Sequence, residues 1–392
     1  MPFLAFLVIL LCGAGLFWIL AYLLRTRLRR VALVLGLLGL LVAFLLTGLW
    51  VVEAVGWERQ GLYEQLMYGL EQEDLRIFAE SQTDLQETTL LCYSQASIAL
   101  SENASQLPNQ DSSIVRQLRY FVAYVMDEER FKLWNNRRSW DRELFTLAHT
   151  AIILGNYQRL TGDQQYEERW KRICTFLVNG ISRSQYKHLA SRPGDAALRP
   201  TDNATALYAL AQYDQQFGTD HLVVAGEDWS AYIRRELHYE DTKLPCAGFT
   251  ATNRCRLPAV GGSLALLSVY TAGAELPISR DFWREFRHYY KGTFWNITAW
   301  INPMPTGGDQ PEFCDFSVAP LQCYRYETSL GQYAASLRKD WITYYQLNNR
   351  LILRDFFQPL NRLWSKPQQE QLRGLYELAV RLSACAPVRE AA

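Results

Sequence analysis

Three stretches of this 392-residue chain share one pattern, and that pattern constrains the fold more than anything else in the sequence. The first runs from His149 to Arg172 as HTAIILGNYQRLTGDQQYEERWKR. The second begins at Asn203 as NATALYALAQYDQQFGTDH, and the third at Gly261 as GGSLALLSVYTAGAELPISRDFWREFRHYY. Each opens with a strongly apolar helix of small residues, passes a Tyr and a Gly-containing turn, and follows with a more charged helix that keeps Trp or Tyr on one face. The starts lie about 55 residues apart. Apolar inner helices alternating with amphipathic outer ones bury their faces only when each pair stacks on its neighbours. A closed α/α toroid meets that need, and an open solenoid is the competing arrangement.

Helical spacing of apolar residues continues outside the three units, through Leu62–Phe78, Leu85–Leu100, Ile114–Val125, Ser329–Leu347 and Gln368–Leu382. No Val/Ile/Thr-rich alternating stretch of strand length stands out. Asp84, Asp163, Thr201 or Asp202, and Ser279 are candidate helix caps. Long connections at Arg183–Pro200, Pro245–Pro258 and Phe294–Gln322 interrupt the helices. Such loops are uncommon unless functional, and in a toroid they gather at one mouth. Chemistry is expected there.

The N-terminus has a different character. Phe3–Leu24 and Val31–Val52 are apolar runs of about 22 residues, each long enough as a helix to span roughly 30 Å of hydrocarbon. Arg25, Arg27, Arg29 and Arg30 lie between them, and an Arg-rich short connector stays cytoplasmic. The expectation is a transmembrane helical hairpin over residues 1–56 and an extracytoplasmic domain over 57–392, anchored at the inner membrane. Forty basic residues balance forty acidic ones, with no basic run outside the connector, which excludes nucleic acid as a partner. Twelve Trp and twenty-two Tyr suit an aromatic-lined cavity as well as a core.

Of eight cysteines, two pairs share one spacing: Cys246/Cys255 and Cys314/Cys323. Neither shows the CxxC spacing of a zinc site, so no metal is expected. Local disulfides in an oxidising compartment account for the spacing, and chance placement of free thiols is the alternative.

The segment Glu143–Gly162, ELFTLAHTAIILGNYQRLTG, resembles the linalool dehydratase/isomerase family. In that family a His opens the corresponding inner helix, and a similar Tyr- and Leu-containing turn closes on Thr-Gly. The likeness continues into Tyr166–Glu168, Asp202–Leu210 and, more faintly, Gly261–Tyr270. It implies an (α/α)6 barrel that is exported, forms homo-oligomers and needs no metal or organic cofactor. It also implies an acid/base role for His149. Where the family has two active-site cysteines, the best-matching positions here are near Ser191 and at Asp202, and neither is a thiol. The family's catalytic Asp finds no clear counterpart.

Each candidate has a plainer reading beside the chemical one. His149 can shuttle a proton near its reference pKa, yet a His on an apolar helix is also what a satisfied core histidine looks like. Asp202 can point into the mouth or simply cap its helix. Glu143 can place a carboxylate near the pocket or favour the helix dipole. Glu312, in an acidic loop with Asp309 and Asp315, and Glu327, opening the next inner helix, could supply the second of two carboxylates for glycan cleavage. The leading expectation is a cofactor-free lyase or isomerase acting on a hydrophobic, isoprenoid-like alcohol. In it His149 moves the proton and Asp202 replaces a thiol. The alternatives are a glycoside hydrolase or polysaccharide lyase of envelope or exopolysaccharide metabolism, using Asp202 with Glu312 or Glu327, and a non-catalytic binding subunit of a membrane complex.

Overall fold

A computed structural model describes residues 57–81, 85–107, 111–193, 197–238, 244–294, 296–302, 325–357 and 360–386, with single positions at 15, 18, 19, 22, 31, 34, 36, 37 and 39. The chain divides into two compact units, Met1–Leu62 and Tyr63–Ala392. In the first unit the described residues are the scattered helical positions and the opening of α1 (Trp57–Leu70).

The transmembrane hairpin expected over residues 1–56, and the inner-membrane anchor drawn from it, are corrected here. Among the described residues no helix is long and apolar enough to cross a membrane. A span needs about 20 consecutive apolar residues. The longest described helices have 18 and carry Gln, Asn or Glu within them. Most of the two apolar runs that prompted the expectation lies outside the described residues.

The second unit continues with α2 (Glu73–Ser81), α3 (Gln86–Asn103), α4 (Asp111–Met126), α5 (Leu144–Thr161), α6 (Glu167–Arg183), α7 (Pro200–Phe217) and α8 (His221–Glu236). After a hairpin, β1 (Gly248–Phe249) with β2 (Cys255–Leu257), come α9 (Gly261–Gly273) and α10 (Ser279–Tyr290). A second hairpin, β3 (Lys291–Phe294) with β4 (Thr298–Ile301), leads toward α11 (Arg325–Leu337), α12 (Trp341–Phe357) and α13 (Gln368–Ala384). Both hairpins are antiparallel.

The helices form two layers. α3 packs on α5, α5 on α7, α7 on α9, α9 on α11, α11 on α13, and α13 back on α3, so six inner helices close a ring. Outside it α4 and α6 cover α5, α8 covers α7, α10 covers α9, and α12 covers α11. This is the closed α/α toroid, and the open solenoid is excluded because α13 returns to α3. Sequence character assigns each helix to its layer. On α5 nearly every side chain from Leu144 to Gln158 is buried, whereas α6 buries the stripe Trp170, Ile173, Cys174, Leu177 and Ile181 and exposes its charged face. The turns after α5 and α7 use Gly162 and Gly218 at φ +69° and +65°, where a side chain would be strained.

Several local expectations change. Lys339, at φ 56°, breaks the predicted Ser329–Leu347 helix, and Asp340 starts α12 by accepting from the backbone N–H of Thr343 at 3.3 Å. Asp202 is not a cap: Pro200 opens α7 behind Arg199. Ser279 and Asp163 also fail to cap, and Asp84 lies outside the described residues. Cys246 and Cys255 are bridged, with Cα atoms 5.8 Å apart, as the local-disulfide reading requires. Cys314 and Cys323 lie outside the described residues.

Several hydroxyls on the inner helices bond within their own helix. The hydroxyls of Thr205, Ser268 and Thr271 donate to the carbonyl one turn back, at 3.0, 2.9 and 2.7 Å. Between α12 and α13 lies a buried charge group. Arg354 donates to Glu377 and Asp355 at 2.6 and 2.8 Å, and Arg381 to Asp355 at 2.6 Å. Glu377 has no exposed side-chain surface. Removing one partner of such a group strands the others' charge. Glu377→Gln should therefore cost about 3 kcal/mol of stability, measured as the shift in denaturant midpoint at unchanged m-value.

Candidate functional site

The site is assembled by the connection between α6 and α7. Asn203, on the first turn of α7, accepts from the backbone N–H of Leu189 at 2.9 Å and donates back to its carbonyl at 3.3 Å. Just beyond Leu189, the carbonyls of Ala190 and Ser191 accept from the N–H groups of Leu144 and Phe145 at 3.3 and 3.1 Å. These are first-turn donors of α5 that the helix itself cannot satisfy. The connection is thus tied to two inner helices, and it delivers Arg192 between them.

Arg192 bridges two carboxylates. Its Nε donates to both oxygens of Glu87, on the first turn of α3, at 2.6 Å. Its Nη1 donates to Asp202 Oδ2 at 3.2 Å, and its guanidinium lies 4.5 Å over the ring of Phe145. Glu87 is half-exposed, while Asp202 is nearly buried.

Arg192, Asp202 and Phe145 form part of the wall of a cavity of about 220 Å³. His149, Arg199, Thr201, Thr205, Ser263 and Tyr270 also face it, with Leu91, Ala247 and Leu266 adding apolar surface. The wall draws on α3, α5, α7 and α9, on the α6–α7 connection and on Ala247 just before β1, so the cavity lies toward the end of the ring where those helices begin. Phe145 and His149 stand one turn apart on α5, their ring centres 4.5 Å apart. His149 Nδ1 meets the hydroxyl of buried Ser94 at 2.9 Å. Tyr270, from α9, lies 6.4 Å away across the cavity.

Burial sets the proton affinities. It pushes the His149 imidazole down to about 3, with the Arg192 guanidinium adding to the effect. Burial raises Asp202, and Arg192 opposes that rise. Glu327 is also raised by burial, as is Glu143.

The residues singled out in the sequence meet different fates. His149 and Asp202 share the cavity. Glu327 does not line it, but stands half-buried on the first turn of α11, where a Cβ at Gly262 would lie 3.6 Å from its Oε1, beside the wall residue Ser263. Glu143 precedes α5, accepts from the Thr146 hydroxyl at 3.3 Å, feels the charge of Glu87 and does not line the cavity. Glu312 lies outside the described residues. Arg192, Arg199, Thr205 and Tyr270 were not predicted. The two arginines beside prolines in SRPGDAALRP were the available signal.

This chemistry corrects the lyase/isomerase expectation. An imidazole held near 3 is uncharged at neutral pH and cannot hand on a proton there. A wall bearing Arg192, Arg199 and Asp202 would lose its hydration beneath the apolar chain of an isoprenoid-like alcohol, whose single hydroxyl could replace little of it. Among the described residues no His/Cys/Asp/Glu cluster suits a metal ion.

A second histidine titrates in the same sense. His188 accepts from the indole N–H of Trp229 at its Nε2 (3.2 Å), so its Nδ1 carries the proton donated to the Tyr186 carbonyl at 2.9 Å. Burial pushes it down to about 4. Both imidazoles bind protons more weakly folded than unfolded, so stability is full above about pH 6.5 and falls as pH drops toward 4. Denaturant midpoints measured from pH 7 to 4 should fall steadily, and His188→Gln should flatten the slope.

No protein-family model matches the chain, and no curated protein does. Among solved structures it is similar to a glycoside hydrolase family 76 (mannosidase) protein from Bacteroides thetaiotaomicron, at 10% identity and a TM-score of 0.38, over 76% of this chain and 87% of that one. A likeness of that extent carries no argument about chemistry, and the toroid stands on its own ring of helix contacts.

Proposed function

We propose that the chain is a glycan-cleaving enzyme that works at the Asp202 cavity. The observation that carries the reading is the Asp202 carboxyl itself: nearly buried, raised by that burial, and set in the wall of a cavity otherwise rich in hydrogen-bonding groups. Glycosidic cleavage needs a carboxylic acid that keeps its proton until the leaving oxygen requires it, and a second carboxylate to assist from the other side. Asp202 suits the first role; Glu327, next to Gly262 on α9 rather than on the cavity wall, is the carboxylate the sequence offers for the second. Arg192, Arg199, Thr201, Thr205 and Ser263 can bond sugar hydroxyls, while Phe145, Leu266 and Tyr270 offer apolar surface to the face of a ring. His149, neutral and oriented by Ser94, fits as a hydrogen-bonding partner of a hydroxyl rather than as the proton carrier.

The test is release of reducing ends from a panel of neutral and acidic polysaccharides and oligosaccharides. Asp202→Asn should lower kcat by about 10²–10⁴-fold on any substrate cleaved, with the fold intact by circular dichroism. Glu327→Gln should lower it comparably. Full activity in folded Asp202→Asn overturns the assignment.

A further inference from the structure

Arg192 has more to do than contribute surface to the cavity. Among the described residues, one of its contacts reaches outward to Glu87, one inward to Asp202, and one rests on Phe145 beneath. A guanidinium is planar, with donors in a fixed fork, so satisfying Glu87 through Nε sets the direction in which Nη1 points. The backbone on its N-terminal side is held by Ser191, whose carbonyl receives the Phe145 N–H. We propose that Arg192 is the positioning residue of this site, a bracket anchored on Glu87 at the rim that fixes the Asp202 carboxyl in one orientation toward the cavity and governs its hold on a proton.

The surroundings give the bracket a definite electrical sense. The groups facing Asp202 are Arg192, the Ser191 hydroxyl and Arg199, which favour its ionised form, Glu87 from α3, which opposes it, and the uncharged His149 and Tyr270 from α5 and α9. Arg192 divides its charge between Glu87 and Asp202. Removing Arg192 therefore strengthens Asp202's hold on its proton. Removing the charge of Glu87 does the opposite on two counts, because a repelling carboxylate disappears and Arg192 is left to Asp202 alone.

The proposal deepens the glycan-cleaving reading, but its central claim can be read without turnover. The full chain is labelled with side-chain ¹³C-aspartate and titrated by NMR, with the Asp202 carboxyl resonance assigned by its disappearance in Asp202→Asn. Arg192→Gln should move the Asp202 midpoint up by about 1 pH unit. Glu87→Gln should move it down by a smaller amount, and this rim substitution decides the matter if Arg192→Gln does not fold. An unmoved midpoint in folded Arg192→Gln, or an upward shift in Glu87→Gln, overturns the bracket. On any glycan that is cleaved, Arg192→Gln should lower kcat about tenfold or more with KM changed less, and its pH–rate profile should shift in step with the resonance. If the midpoints move as stated while no glycan is cleaved, the bracket stands and the glycan reading falls. If cleavage is abolished by Asp202→Asn while neither other variant moves the midpoint, the glycan reading stands and the bracket falls.

Discussion

Closing a ring of helices requires the first and last of them to meet, and in this chain that junction lies between α3 and α13. It is sealed by polar contacts as well as apolar ones. Gln95 donates to the Ser383 hydroxyl at 3.0 Å, and Asn103 donates to the Leu382 carbonyl at 3.0 Å. Without that meeting each inner helix would still have neighbours, but the axis of the ring would open to water. The buried polar groups there, Ser94 and His149 among them, would then lose the low-dielectric setting that gives them their character. The contacts also span nearly the whole of the second unit in sequence, so the ordering of that unit depends on a late, non-local encounter.

Closure explains why the site lies where it does. Where α3, α5, α7 and α9 begin, the connections hold the walls apart enough to leave a cavity. There the first turns contribute Glu87, Phe145, Thr201 and Asp202, and the connection before α7 contributes Arg192. Helix beginnings also present N–H groups without intrahelical partners, and the Ala190 and Ser191 carbonyls meet two of them. One set of backbone bonds therefore both finishes α5 and aims the side chain that grips Asp202.

Much of the architecture was legible because it is written in periodicity. The small-residue helices at His149, Asn203 and Gly261 did become inner helices, and the stripe from Trp170 to Ile181 did become an outer face. What periodicity could not convey is which polar side chain meets which. Asp202 sits where a cap is expected, yet Pro200 opens α7 so that the cap position falls on Arg199, three residues earlier, and Asp202 meets Arg192 instead. Arg192 itself lies in a stretch with no period at all. The apolar runs at the N-terminus show another limit: hydropathy over a window proposes a span, and no described helix of the required length and character answers to it. His149 was picked out for proton transfer by the family resemblance and its residue type, whereas burial beside a guanidinium leaves it neutral.

The disulfide between Cys246 and Cys255 closes the connection that carries β1 and β2, and Ala247, beside it, faces the cavity. Phe249 of that hairpin exchanges two backbone hydrogen bonds with Leu198, at 2.8 and 2.9 Å, immediately before Arg199. A covalent clasp on one side of the cavity is thereby linked, through a single rung of sheet, to a charged residue on its wall. That side of the pocket is held by a covalent bond as well as by the first turn of α7. Thiol–disulfide exchange in the surroundings consequently acts on the pocket directly: a reductant would loosen Ala247 and Arg199 together while the ring of helices stays closed.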